Sequence, residues 1–98
     1  MAYLELKCAC QNCGIALPPE SVDARICSFE CTFCTNCVDT ILHNVCPSCG
    51  GGFEKRPIRR KGLLQKFPAQ IAPFVKPLSS EDFSLLFEKF KEIPPELR

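Results

Sequence analysis

Residues 27–50 read CSFECTFCTNCVDTILHNVCPSCG and hold six cysteines: Cys27, Cys31, Cys34, Cys37, Cys46 and Cys49. Working outward, Cys10 and Cys13 lie upstream. The thiol string is therefore C-x2-C, thirteen residues, C-x3-C-x2-C-x2-C, eight residues, C-x2-C. Eight thiols at that spacing supply two tetrahedral metal sites. A C-x2-C step lets two thiolates from one tight turn reach the same ion, and the ion then ties together segments that have little else to pack. Gly14, after the first pair, takes the backbone angles such a turn needs, and Pro47 and Gly50 shape the last one.

The chain has 98 residues, and the part holding its nine cysteines ends near Gly52. A unit of about 50 residues buries too little surface to be stable without a staple. Disulfides and metal are the two candidates. The N-terminal MAYLELK has no apolar signal core, and no apolar run approaches the roughly 18 residues that span a membrane. Tight cysteine pairs in a chain without export features favour metal, with the cytosol as the expected address. The formal charge is +1 with every thiol neutral. Eight thiolates and two divalent ions would take it to about −3, so nucleic-acid binding needs a local patch rather than net charge.

Around the cysteines the expected elements are short. Tyr3 to Lys7 alternates weakly and reads as a lead-in strand. Cys8 falls outside the knuckle spacing and reads as a spare thiol, with a substitute ligand or a redox-sensitive group as its sharper alternative. Ile15-Ala16-Leu17 is extended and closed by Pro18 and Pro19. Ala24-Arg25-Ile26 is a short strand entering Cys27, and Phe29 and Phe33 form a miniature core that shields sulfur from water. Asn36 to His43 reads as a helix whose stripe of Val38, Ile41, Leu42 and Val45 faces the metal core. His43 is the only histidine, and eight cysteines already fill two sites without it. Phe53-Glu54 returns as a strand.

From Lys55 the character changes. Lys55, Arg56, Arg59, Arg60 and Lys61 form a basic cluster that is either a solvated linker or a phosphate-binding patch. Pro68, Pro73 and Pro77 then exclude one long helix from the apolar segment that ends at Leu78. Ser79 or Ser80 caps a last helix, with Glu81 and Asp82 in its first turn and Phe83, Leu86, Phe87 and Phe90 on one face. Pro94-Pro95 stops it. That face must be covered by the metal unit, by the Pro-punctuated segment, or by a second chain as a homodimer. The organisation expected is a metal-binding domain over 1–58, then basic linker, Pro-punctuated segment and C-terminal amphipathic helix over 59–98.

All-thiolate tetrahedral sites suit zinc or iron–sulfur chemistry. The Cys27-x3-Cys31-x-Phe33-Cys34 step matches the cluster motif of radical enzymes that cleave S-adenosylmethionine, but those are partial barrels far longer than this chain. A ferredoxin needs C-x2-C-x2-C-x3-C-P, which is absent. The eight-ligand string instead resembles a RING finger, including Phe33 before the fifth ligand and the C-P-x-C ending, with Cys31 where most RING fingers carry histidine. The fold class implied is a small metal-stabilised α+β module of RING-like, treble-clef type. That resemblance implies cross-braced wiring, with Cys10, Cys13, Cys34 and Cys37 on one zinc ion and Cys27, Cys31, Cys46 and Cys49 on the other. Sequential wiring is the competitor, with Cys27, Cys31, Cys34 and Cys37 together and the two outer pairs joined as a zinc ribbon.

A closer resemblance covers residues 10 to about 58. LPP, ARICSFECTFC and CPSCGG are similar to the small bacterial cysteine-rich proteins classed as domain of unknown function 1272, which implies a zinc-binding module with no established activity. The expected task is non-enzymatic: a protein partner docks between Ile15-Ala16-Leu17 and the Val38–Val45 helix. The alternatives are nucleic-acid binding through the basic cluster and ubiquitin-ligase-like activity. Against the latter, Asn12 stands where such ligases carry an apolar contact, and Ser48 and Gly50 supply no basic group.

Overall fold

The computed structural model describes residues 4–78 and 80–98. The two C-x2-C knuckles at either end of the thiol string are built from local backbone bonds. In the first knuckle the Gly14 amide donates to Cys10 O (3.0 Å) and the Cys10 amide to Ile15 O (2.9 Å). The second knuckle repeats this: Gly50 N to Cys46 O and Cys46 N to Gly51 O, both 2.8 Å. Gly14 and Gly50 have φ of 79° and 78°, the left-handed region that glycine enters without cost. At Gly50 a Cβ would also stand 2.6 Å from the Phe90 ring.

Among the described residues the sheet has three antiparallel strands in the order β2-β1-β3: β1 (Ala24–Ile26), β2 (Thr32–Cys34) and β3 (Glu54–Lys55). Ala24 pairs with Cys34, and Arg25 pairs with Phe33 on one side and Lys55 on the other. Leu4 to Lys7 is not a strand. The chain there leads to a single bridge between Ala9 and Ala16 that closes the first knuckle, and residues 1–3 lie outside the described residues. Gln11 locks that knuckle to β2 by accepting from the Thr32 amide at its side chain (2.6 Å) and donating its own amide to Thr32 O (3.0 Å).

The helix expected over 36–43 is wound in two gauges. A single α turn, α1 (Thr35–Cys37), widens into a π-helical turn over Val38–Leu42, closed by the His43 amide on Val38 O. The wider turn sets Leu42 in line with Val38 and swings Ile41 aside. Val38, Leu42 and Val45 are buried, while Ile41 is 43 % exposed and drops out of the stripe. Phe29 is the second correction: at 74 % exposed it sits at the tip of the β1–β2 loop, where Glu30 has φ 67° and turns the chain back. Phe33 alone of that pair is core, edge-on to Phe53 at 5.5 Å.

Beyond β3, α2 (Lys61–Leu64) is one short turn and α3 (Ser80–Phe90) is the longest helix. The Ser79 cap, and the side chain of Ser80, lie outside the described residues. The segment between the helices runs back along the first knuckle, with Gln70 N on Leu6 O (2.8 Å) and Lys76 N on Gln11 O (2.7 Å). The half-buried face of α3 meets the cysteine-bearing unit: Phe87 lies against His43 at 5.7 Å, and Phe83 and Leu78 pack on the buried core. At the end of the chain Arg98 donates to Asn44 O (2.8 Å) and Gly50 O (3.1 Å).

Candidate metal centre

The sulfurs of Cys10, Cys13, Cys34 and Cys37 all lie within 4.8 Å of one another. The first knuckle supplies two of them, and the end of β2 with α1 supplies the others. Cys10–Cys37 and Cys13–Cys34 stand at 3.8 and 3.7 Å. These are not disulfide distances, and none of the nine cysteines is paired. A tetrahedron of sulfurs at about 2.3 Å from a central ion has edges of about 3.8 Å, so the spacing fits a metal of that type.

In the second group Cys27, Cys31 and Cys46 lie within 4.8 Å of one another. Cys49 follows on the same knuckle as Cys46 but stands outside that set, half-buried, with its sulfur accepting from the Gly51 amide (3.4 Å). Its place on a C-x2-C turn beside Cys46 is what offers it as a fourth donor. The grouping sets Cys34 and Cys37 with Cys10 and Cys13, and leaves Cys27 and Cys31 with Cys46. The thiols are thus gathered in the cross-braced manner, and the sequential alternative, which joins Cys27, Cys31, Cys34 and Cys37, is set aside.

The surroundings favour negative sulfur only up to a point. Amides donate to it from Cys13 to Cys10 (3.5 Å), from Cys37 to Cys34 (3.4 Å) and from Phe29 to Cys27 (3.3 Å). Asn12 adds a side-chain N–H to Cys37 (3.5 Å). Burial pushes the Cys10 thiol up, but the amides of Cys13, Cys34 and Asn12 outweigh it and lower the pKa to about 7. Burial raises Cys37 to about 12, with hydrogen bonding to Cys34 and Cys13 and the charge of Cys10 adding to it. The second group repeats the contrast. Burial opposes ionisation of Cys27, yet the amides of Phe29 and Cys31 bring it down, while burial and the charge of Cys27 push Cys31 and Cys46 up. In each cluster one thiol ionises more easily than an ordinary cysteine, and its charge makes the next harder to ionise. A cation at the centre relieves that repulsion, so both groups could hold metal ions.

The remaining residues singled out in the sequence stand apart. Cys8 is half-buried, with its sulfur 3.8 Å from Ile71 O, and belongs to neither group. His43 is exposed and packs on Phe87, outside both groups. In the basic cluster, Arg56 is a correction. It is 1 % exposed and donates to Lys7 O (2.8 Å), Leu17 O (3.2 Å) and Pro18 O (2.9 Å), so it is a buried clamp and not a phosphate contact. Arg59 donates to Phe67 O (2.7 Å) and to Leu4 O. Lys55, Arg60 and Lys61 are exposed. Arg56 left no mark in the sequence to separate it from its neighbours. Asn12 and Gln11, the two residues inside the first knuckle, were also missed as organisers, since their role depends on what the fold brings opposite them.

Residues 3–59 match the family described as "Protein of unknown function (DUF1272)", and the chain belongs to that family. It is also similar to an uncharacterized protein of Rhizobium meliloti (strain 1021), 49 % identical over 74 residues, covering 76 % of this chain and 88 % of the relative. That likeness is longer than the stretch the family covers. No solved structure matches the chain. No helix among the described residues is long and apolar enough to cross a membrane.

Proposed function

We propose that the protein is a structural zinc module that presents a protein-docking surface and carries out no chemistry of its own. The observation that carries this is the interleaved grouping of thiols drawn from four successive segments of the chain. Bound zinc would supply a crosslink there and nothing else, because an all-thiolate tetrahedron leaves no position for water or substrate. The wiring, with the short sheet and the helical turn between the thiol pairs, supports a RING-like, treble-clef reading. Zinc is favoured over iron by the resemblance to RING fingers and by the second quartet, which is not built from two C-x2-C knuckles as a rubredoxin-like single-iron site is. Nine reduced thiols belong in a reducing compartment, which supports a cytosolic address.

The test is cadmium substitution followed by 113Cd NMR on the full chain. Two resonances in the all-thiolate range, with Cys13→Ser displacing one and Cys31→Ser the other, support the assignment. A single resonance overturns it. The nucleic-acid alternative loses a cation at Arg56 and rests on Lys55, Arg60 and Lys61; a binding isotherm to mixed RNA that is flat at low salt removes it. Ubiquitin-ligase-like activity is disfavoured by Asn12, whose side chain is already committed inside the chain.

A further inference from the structure

One end of the surface that the docking reading needs, at the first knuckle, is overlaid by the chain itself, while Ile15 stays 56 % exposed. Residues 74–78 cross the first knuckle, with the Lys76 amide on Gln11 O (2.7 Å) and the Leu78 amide on the Asn12 side-chain oxygen (3.0 Å). Val75 lies against Gly14, 3.6 Å from where its Cβ would stand. α3 then lays Phe83 and Phe87 beside Ile41 and Asn12. An open cleft of about 340 Å³ remains beside it, lined by Phe74, Pro77 and Phe83 together with Phe33, Pro47 and Ser48. A second, shallower one of about 420 Å³ is lined by Asn12, Ile41, Leu78, Phe83 and Phe87. Phe74 and Val75 also stay 54 % and 44 % exposed although they lie over the groove.

Asn12 links this contact to the metal centre. Its oxygen accepts from Leu78 while its nitrogen donates to Cys37, so a single carboxamide faces the strap on one side and a thiol on the other. An apolar residue at this position could do neither. The departure at Asn12 from the ligase pattern thus has a physical use within this chain.

We propose that residues 74–90 are a displaceable cap over the docking groove, and that the partner is a polypeptide of the cap's own chemistry. It would present an extended apolar stretch whose amides reach Gln11 and Asn12, followed by a helix with aromatics at i, i+4 and i+7. This rests on the protein-docking reading above. The occupant seen in the groove defines the partner: two backbone donors, then Phe83, Phe87 and Phe90 on one helix face. A tethered cap competes at an effective concentration in the millimolar range, so partner binding is weakened by the fraction of time the groove is closed.

The probe is a fluorescent synthetic peptide of residues 74–90, titrated by anisotropy into metal-loaded full-length protein and into a Phe83→Ser/Phe87→Ser variant, with metal content measured on both. The variant should bind the peptide at least about tenfold more tightly than the wild type, because its own cap is weakened. Equal affinity at equal metal content overturns the cap and leaves the metal module standing. Loss of metal from the wild type itself would instead sink the module reading. Hydrogen exchange on the wild type gives an independent answer should the variant misfold. The Lys76 and Leu78 amides should exchange at least about tenfold faster than those of Cys46 and Gly50, and equal protection would mean that the cap opens only with the module. A wild-type dimer that has exchanged α3 between copies would put a second chain in the groove and overturn the cap in cis.

Discussion

Arg56 donates to Lys7 on one segment and to Leu17 and Pro18 on another, with burial and the nearby Arg59 both pushing its pKa down. Removing it leaves buried carbonyls without donors, so Arg56→Met should destabilise the protein by about 3 kcal/mol or more, read by denaturant titration at fixed metal content. Lys61→Ala, five positions along and exposed, should stay within about 0.5 kcal/mol. In sequence the two are equivalent members of one basic run; what separates them is the pair of carbonyl-bearing turns that folding brings to Arg56. Cys8→Ser should leave metal content unchanged by elemental analysis, because its sulfur faces Ile71 O and neither cluster. Protons and metal compete for the same sulfurs. In the metal-free state the Cys10 thiolate is lost as pH falls through about 7, its pKa being depressed, whereas Cys37, raised to about 12, is protonated across the neutral range and must be stripped by the metal. Metal affinity should therefore fall by more than about tenfold per pH unit below 7 in a chelator-competition titration, and a flat profile would contradict thiolate ligation.

At the scale of elements, β1 was legible residue for residue, as the short stretch Ala24-Arg25-Ile26 between a polar turn and Cys27. The helical segment was legible in place but not in winding. A 3.6-residue period treats Ile41 and Leu42 as equals, and the bonding that closes a wider turn over Val38–Leu42 is set by the αL residues His43 and Asn44 and by the knuckle beyond them. The consequence is measurable. Leu42→Ala should cost about 2–5 kcal/mol, since Leu42 is fully buried in the core, while Ile41→Ala should cost under about 1 kcal/mol. Equal losses at the two positions would mean an ordinary α-helix there. Phe29 shows the same limit: an aromatic beside a cysteine reads as core until the loop that carries it turns outward.

For the whole molecule, the spacing of eight cysteines announced two sites but left their pairing open, because a C-x2-C step fixes partners within a turn and says nothing of which turns meet. Pairing became visible only when β1 and β2 folded as a hairpin, bringing Cys34 and Cys37 to the first knuckle and leaving Cys27 and Cys31 to face Cys46. The return of the C-terminal segment was foreshadowed by the aromatic face of α3, which had to be covered by something. That the cover is the chain's own cysteine-bearing unit depends on Gln11, Asn12 and Gly50, whose contacts with the C-terminal segment nothing in the sequence announces. Interleaved sites should load and empty together, since each needs loops that the other holds. The most direct test is native mass spectrometry of the full chain during chelator titration, with elemental analysis alongside. The account predicts two zinc ions per chain, lost with scarcely any one-zinc species and with cooperative unfolding of residues 10–53. A stable one-metal protein, or iron in place of zinc, would contradict it.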